Sequence, residues 1–270
     1  MAPKDVYDAL LATHESLIGP IANRAELKAA LQETVSAEDL QLYFLIPFNA
    51  RLSLDQLAKK ARRLHMTPEQ VQAGMERLYA QACVLRYESP QGELYWRCPL
   101  TMLTENQVRM RKGTPLGKAY ADFWMTVAEG AAKNLPTKTP YFRILPVQAT
   151  ITEPADVRTI AVNYDVPDPR EVLPLDVVSE MVKRQALIGV AECYCRLAEE
   201  MRGNACSCPR ETCFVFSEFA ENLIAIGIAR PLDVAEALRI LEECERAGLV
   251  HNINNYQENI YGLCNCCACS

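Results

Sequence analysis

The first third of the chain places apolar residues at helical spacing. Apolar residues recur three and four apart over 4–17 and 24–34, and again in AEDLQLYFLI, which follows the predicted N-cap Ser36. Two further helices are predicted in SLDQLAKKARRL and MTPEQVQAGMERLYAQA, with Ser53 and Thr67 as their N-caps. CVLRYESPQGELYWRCP then has the pattern of two strands around a turn. Two helices followed by a two-stranded hairpin are typical of a winged helix.

The middle of the chain mixes helices, strands and a proline-rich connector. A helix is predicted over 116–133, and LPTKTPYFRILP after it is predicted to be extended. ADVRTIAVNY is predicted as a strand and VPDPREVLP as a loop. LDVVSEMVKRQ is predicted as a helix, and ALIGVAEC as an apolar strand that ends at Cys193.

The last part of the chain repeats the order of the first helix and hairpin. PLDVAEALRILEECERAGLVHNINNYQENIYGLC and TPEQVQAGMERLYAQACVLRYESPQGELYWRC each place an amphipathic helix before a short apolar strand, a polar turn and a second strand ending in cysteine. We therefore predict a second helix–hairpin module; a chance match of two common units is the alternative. The expected fold is α+β and mainly helical. Its predicted parts are N-terminal helices (1–36), a winged-helix-like domain (37–112), a helix and proline-rich linker (113–150) and a Cys-rich domain containing the second module (151–270).

Composition narrows the possible function classes. The 270 residues carry a formal net charge of −6 and a pI near 5.3, which argues against a general nucleic-acid or anionic-membrane binder. No apolar run approaches the roughly 18 residues that span a bilayer. The first residues also lack the apolar core of a signal peptide. We therefore expect a cytoplasmic protein without membrane insertion.

Nine of the twelve cysteines lie in two short segments. ECYCRLAEEMRGNACSCPRETC holds five of them, and CNCCACS holds the other four. In a reducing compartment, clustered thiols are more often metal ligands or catalytic groups than disulfides. Thiolates are preferred ligands of zinc, copper(I) and iron–sulfur clusters, and none of the three histidines lies within either segment. The sequence therefore predicts a metal site made mostly of sulfur.

The crowding of the terminal thiols favours a cluster over a single ion. A tetrahedral zinc ion needs four sulfurs close around one point, with bonds of about 2.3 Å. Four thiols within six residues, two of them adjacent, do not easily meet that requirement alone. A cluster of several irons has more widely separated corners and could take ligands from both segments. Arg196, Arg202 and Arg210 lie near the upstream thiols and would favour thiolate, unless they are simply solvated.

Three cysteines stand apart from the two segments. Cys83 and Cys244 lie at or near helix-to-strand junctions, and Cys98 ends the first hairpin. Free cysteine often behaves as a small buried hydrophobic residue, which is what we expect for all three.

The segments CYCR, CSCPRETC and CNCCAC resemble the amino-terminal part of a family of 4Fe-4S ferredoxin-type iron–sulfur proteins. The order of winged helix, proline-rich linker, EVLP with a helix, and CYCR is similar too, so the resemblance covers nearly the whole chain. It implies one or two 4Fe-4S clusters and single-electron transfer to or from a protein redox partner. The cluster ligands it implies are Cys193, Cys195, Cys206, Cys213, Cys264, Cys266, Cys267 and Cys269. Cys208 is not required by the family pattern and is an additional candidate. The chain also lacks the C-x-x-C-x-x-C-x-x-x-C-P run of a two-cluster ferredoxin module.

Two other metal-dependent functions are consistent with the thiols. A structural protein would use them to hold zinc in place of an iron–sulfur cluster. A redox enzyme would bind its substrate at a cluster. The sequence gives that enzyme little support, because it has no G-x-G-x-x-G after a strand, no phosphate-binding loop and no C-x-x-x-C-x-x-C run.

A transcription regulator is a further alternative, with the winged helix on DNA and the cysteines sensing redox state or metal. The basic run Lys59, Lys60, Arg62 and Arg63 could contact phosphates. The candidate recognition helix, however, carries two glutamates, Glu69 and Glu76, against the lone basic residue Arg77. We therefore expect a protein partner and not a nucleic acid.

Overall fold

The computed structural model describes residues 5–90, 92–134, 142–145, 178–254 and 260–267. Helices predominate in these ranges and accompany two antiparallel sheets, which confirms the predicted α+β class. The predicted strand ADVRTIAVNY and the predicted loop VPDPREVLP lie outside the described residues, as does most of the proline-rich connector.

The N-terminal part follows the predicted order of helices and hairpin. Its elements are α1 (Val6–Ile18), α2 (Arg24–Thr34), α3 (Ala37–Leu45), β1 (Leu52–Ser53), α4 (Leu54–Ala61), α5 (Pro68–Ala80), β2 (Val84–Tyr87) and β3 (Leu94–Arg97). Ser53 and Thr67 each form a full capping box, with Gln56 and Gln70 respectively, so both helices start where the sequence predicts. The three strands form a sheet in the order β1-β3-β2.

Two helices connect this part to the rest of the molecule. The second of them, α7 (Pro115–Asn134), was predicted, whereas the first, α6 (Leu100–Met110), was not. One side of α6 is buried although it is largely polar, because Thr104, Asn106, Gln107 and Arg109 are all nearly inaccessible. This burial of polar residues hides the apolar periodicity by which a helix is recognised in a sequence.

The C-terminal part is built on a six-stranded sheet. Its elements are β4 (Phe142–Leu145), α8 (Val178–Lys183), β5 (Ile188–Glu192), α9 (Tyr194–Met201), β6 (Glu211–Phe216), α10 (Ser217–Ala225), β7 (Ala229–Leu232), α11 (Val234–Arg246), β8 (Val250–Asn254) and β9 (Gly262–Cys266). The strand order is β4-β8-β9-β6-β5-β7, with all neighbours antiparallel. The predicted second helix–hairpin module is present as α11, β8 and β9, but its hairpin is part of this larger sheet.

The six-stranded sheet separates two hydrophobic cores. Phe214 and Leu263 point into a core shared with α8 and α11. Their neighbour Cys213 points to the other side, into the core that begins with α1 and runs through the first sheet and α7. This alternation follows from the two-residue period of a strand.

An asparagine of α10 is bound to the edge of the first sheet. Asn222 of α10 accepts a hydrogen bond from the backbone N–H of Arg86 and donates one to its carbonyl oxygen, each at 2.7 Å. Arg86 lies in β2, which is an edge strand of the first sheet. The Asn222 side chain thus takes the place that a further strand would have, and it is 3% exposed.

Candidate metal centre

Four backbone elements bring five cysteines to one side of the six-stranded sheet. Cys193 follows the end of β5, Cys195 lies in the first turn of α9, and Cys213 lies on β6. Cys264 and Cys266 alternate on β9 with the buried Leu263 and Asn265. Since Phe214 pairs with Leu263, one step along the antiparallel ladder places Cys213 opposite Cys264. We call Cys193, Cys195, Cys213, Cys264 and Cys266 the five-sulfur group.

The thiols of the five-sulfur group interact with one another. A hydrogen bond from Cys195 lowers the pKa of Cys193 to about 6, and one from Cys264 lowers the pKa of Cys266 to about 7. Cys264 is also hydrogen-bonded to Cys213, whose pKa is lowered by that bond and by Arg109. Cys195 and Cys264, as the donors, have raised pKa values. The group therefore favours thiolates, the form of cysteine that binds metals.

A buried arginine from α6 reaches the five-sulfur group. Arg109 donates from Nη2 to the Cys213 sulfur at 3.2 Å and from Nε to the Glu192 carbonyl at 2.8 Å. Its guanidinium also lies over the Tyr194 ring, 4.7 Å from the centroid. Because the side chain is only 9% exposed, its charge requires a nearby anion. Cys213 can supply one as a thiolate, since the hydrogen bond from Cys264, together with Arg109, lowers its pKa.

Other polar groups surround the same sulfurs. Burial raises the pKa of Glu105 to about 8, and the carboxyl is hydrogen-bonded to Tyr194. The indole Nε1 of Trp124 interacts with the Cys195 sulfur. That nitrogen is buried and finds no acceptor in full hydrogen-bond geometry. A buried donor without an acceptor is costly, so Trp124 has an unused donor directed to the sulfur site.

Three further cysteines form a second, tighter group. The sulfurs of Cys206, Cys208 and Cys267 all lie within 4.8 Å of one another. Such spacing is suited to binding a metal. We call these residues the sulfur triad. Cys267 is disulfide-bonded in the structure, so a metal here requires its reduced form.

A second buried arginine links the sulfur triad to the neighbouring strands. Arg196, 1% exposed, donates from Nε to the Cys267 sulfur at 3.3 Å. Its two terminal nitrogens bind the Pro209 carbonyl, the Thr212 hydroxyl and the Asn265 carbonyl, each at 2.6 Å. None of these acceptors is a carboxylate.

Asn265 continues this network on β9. Its Nδ2 donates to the Thr212 carbonyl at 2.6 Å, and its Oδ1 is hydrogen-bonded to His251 Nδ1. The other ring nitrogen of His251 lies 3.2 Å from Glu245. The strand between Cys264 and Cys266 is therefore fixed by polar contacts on the face opposite the cysteines.

The predicted cysteines therefore divide between two groups. Five of them form the five-sulfur group, Cys206 and Cys267 join the triad, and Cys269 lies outside the described residues. Cys208, which the family pattern does not require, is a full member of the triad. Cys83, Cys98 and Cys244 are fully buried, as expected.

Sequence reasoning identified only part of the surroundings of the sulfurs. Of the three arginines proposed to lie near the thiols, Arg196 contacts a sulfur. Arg210 pairs with Glu200 and also interacts electrostatically with Cys206. Arg202 pairs with Glu199. Arg109 and Glu105 were missed because α6 was not predicted. The apolar spacing of Leu100, Leu103 and Val108 was the available signal for that helix.

The donor set of the five-sulfur group fits a soft metal or a metal–sulfur cluster, because it consists of thiols beside two N–H donors. No described helix is long and apolar enough to cross a membrane. No protein-family model, curated protein or solved structure matches the chain.

Proposed function

We propose that this chain is an iron–sulfur protein that holds a 4Fe-4S cluster in the five-sulfur group and exchanges single electrons with a protein partner. The observation that carries the proposal is the convergence of five sulfurs from β5, α9, β6 and β9 beside the buried Arg109. When bound, the cluster would supply one-electron redox chemistry.

The spacing of the five sulfurs supports a cluster over a single ion. Neighbouring thiols of the group interact in pairs, as Cys193 does with Cys195 and Cys213 with Cys264. Within the part of the chain that the structure describes, no three of these five sulfurs all lie within 4.8 Å of one another. A single tetrahedral ion needs its sulfurs around one point, so this arrangement favours a centre with several metal atoms. Four of the five cysteines would each bind one iron of the cluster, and the fifth would not be a ligand.

The charge distribution also supports an anionic cluster. Four thiolates give a 4Fe-4S centre a net negative charge, which is costly to bury without compensation. Arg109 brings a positive charge and a hydrogen bond to Cys213. Trp124 Nε1 offers a second N–H, which has no other acceptor among the described residues. Hydrogen bonds to the sulfurs are one of the factors that set a cluster's potential.

Electron exchange requires that the site lie near the surface. Cys193, Cys195, Cys264 and Cys266 are half-buried, and Cys213 alone of the group is buried. Val250, which pairs with Cys266 on the adjacent strand, is 43% exposed. We propose that a partner docks at this side of the sheet.

We further propose that α3 to β3 form a winged-helix unit that docks proteins and does not bind DNA. Its order of elements and its β1-β3-β2 sheet support the winged-helix assignment. Arg77, the single basic residue of α5, is held by two hydrogen bonds to Asp39, at 2.9 and 2.7 Å. Its charge is thereby paired within the protein, and the exposed Glu69 and Glu76 would repel phosphates.

Anaerobic purification followed by iron, zinc and acid-labile sulfide analysis tests the proposal. We expect about four irons and four sulfides for each cluster, together with an EPR signal after dithionite reduction. Stoichiometric zinc without iron or labile sulfide would refute the cluster. Iron and sulfide without any redox-dependent spectral change would refute the electron-transfer role.

A further inference from the structure

We propose that the sulfur triad is a separate metal site, which binds one zinc ion and fastens the loop between α9 and β6 to the end of β9. This zinc site would be additional to the proposed cluster, and the inference does not depend on the cluster. Three features of the described residues support it: the sulfur spacing, the side of the sheet on which the triad lies, and the contact of the buried Arg196 with Cys267.

The spacing of the triad fits one tetrahedral ion. Zinc–sulfur bonds of about 2.3 Å place two sulfurs of a tetrahedron about 3.8 Å apart. The three sulfurs all lie within 4.8 Å of one another, so small side-chain movements would close them around one ion. A water or one more side chain would complete the four ligands.

The triad lies on the other side of the sheet from the five-sulfur group. Cys208 and Cys267 pack against the core formed with α8 and α11. Cys195 and Cys213 belong to the core on the opposite side. Cys267 follows Cys266 by one residue, and the two-residue period of the strand accounts for this division. The triad is thereby separated by the sheet from Cys195 and Cys213.

Arg196 supplies the charge that such a site needs. A thiol reductant must first cleave the Cys267 disulfide, with its two electrons going to the two sulfurs. Three thiolates and one Zn²⁺ then carry a net charge of −1, and the guanidinium carries +1. The four described acceptors of Arg196 are one sulfur, two carbonyl oxygens and one hydroxyl oxygen. None of these four acceptors is a carboxylate, although the Arg196 side chain is only 1% exposed. The guanidinium charge also acts on the Cys193 thiol. An anionic metal site at Cys267 would neutralise it.

The loop itself explains why a metal would be useful there. Residues 202–205 and Ser207 are exposed, so the loop has little apolar surface with which to pack. Cys206 and Cys208 are its inward, half-buried positions. A zinc ion held by these two thiolates and by Cys267 would connect the loop to β9 without a hydrophobic core.

Metal analysis of two matched variants distinguishes this site from the cluster. In protein purified anaerobically with a reductant, we expect about one zinc per chain. The double variant Cys206→Ser/Cys208→Ser should lose nearly all the zinc and keep its iron and visible spectrum. Cys213→Ser should lose the iron and keep the zinc.

Either of two results would overturn the inference. One is a loss of iron in the Cys206→Ser/Cys208→Ser protein equal to that in Cys213→Ser, which would make the triad part of the cluster. The other is wild-type protein that takes up no zinc when the reduced chain is supplied with it. Absence of iron from the wild type would refute the proposed cluster alone and leave a zinc-binding triad standing.

X-ray absorption at the zinc edge tests the same site without a variant that could fail to fold. We expect at least three sulfur scatterers at about 2.3 Å from zinc in the wild-type protein. A first shell of oxygen and nitrogen only would show that the zinc binds elsewhere and would overturn the assignment to the triad.

Discussion

The two helix–hairpin units of this chain share the order helix, strand, strand, but their cysteines have different surroundings. In the first, α5 leads into β2 and β3, and Cys98 follows β3. In the second, α11 leads into β8 and β9, which carries Cys264 and Cys266. Cys98 is fully buried and donates its backbone N–H to Cys83, whose thiol has a pKa raised to about 12 by burial. Cys264 lies instead beside Cys213, whose thiol has a lowered pKa.

The difference comes from the neighbouring strands. The first hairpin belongs to a three-stranded sheet in which β1 is the other strand. The second hairpin pairs with β6, which adds Cys213, and through β6 with β5, which leads to Cys193. A cysteine in this fold therefore becomes a candidate ligand through the strand next to it and not through its local motif.

The largest expected effect is the loss of iron when a cysteine of the second hairpin is replaced. Cys264→Ser should remove most of the iron and the visible absorbance, since this residue lies between Cys213 and Cys266. Cys98→Ala, the matched change in the first hairpin, should keep the iron and cost about 1 kcal/mol of stability through lost packing. Iron content and urea denaturation measure the two effects. Equal iron loss in both variants would contradict the comparison.

Replacement of Arg109 tests what makes the second region favourable for thiolates. Arg109→Gln should destabilise the fold by about 3 kcal/mol, because a buried charge-assisted network loses its donor. It should also lower the reduction potential of the proposed cluster by on the order of 50 mV, through loss of roughly 1 kcal/mol of hydrogen bonding to Cys213.

Arg111→Gln is the matched control for Arg109 on the same stretch of chain. Arg111 binds the side chains of Gln107 and Gln81, and among the described residues it forms no hydrogen bond with the five-sulfur group. In a spectroscopic redox titration, we expect the reduction potential of the proposed cluster in Arg111→Gln to equal that of the wild type. A similar shift in both variants would show that Arg109 acts only through the fold.

Asn222→Ala tests how far the first region depends on the second. The change leaves the N–H and carbonyl of Arg86 without their side-chain partner, so we expect a loss of about 2 kcal/mol in urea denaturation. Iron content should not change. The nearby Glu218→Ala removes only an exposed ion pair with Arg51 and should cost less than about 0.5 kcal/mol. Equal losses would mean that the asparagine does not hold the two sheets together.

The smallest effect concerns pH and is confined to the N-terminal helices. Burial lowers the pKa of His14 below 6.5, and its ring packs edge-on against Phe123. The unfolded chain therefore binds a proton first as the pH falls, so stability is full above about pH 6.5 and declines below it.

His14→Leu should reduce this decline in stability between pH 7 and pH 5. His65→Asn, at an exposed position with φ of 59° that asparagine tolerates, should leave the decline unchanged. Thermal melts at a series of pH values measure both variants. An unchanged decline in the His14 variant would show that other groups cause it.

The sequence allowed most of the local structure to be predicted but not the environment of the sulfurs. Ser53 and Thr67 could be assigned as caps because a capping box is a local signal. The division of the cysteines into two groups could not be predicted, because it depends on the pairing of β6 with β9, which are far apart in the sequence. Arg109 was missed for a related reason: its helix buries polar residues that serve distant partners, such as the Gln81 carbonyl bound by Gln107.

The alternation along β9 makes strand alignment a precondition of the proposed metal binding. A slip of one residue against β6 would turn Cys264 and Cys266 towards the apolar core and bring Leu263 and Asn265 to their places. Asn265 opposes such a slip, because it binds the Thr212 carbonyl through its side chain and Arg196 through its backbone. Asn265, which is not itself a candidate ligand, thus selects the strand register in which Cys264 and Cys266 lie beside Cys213.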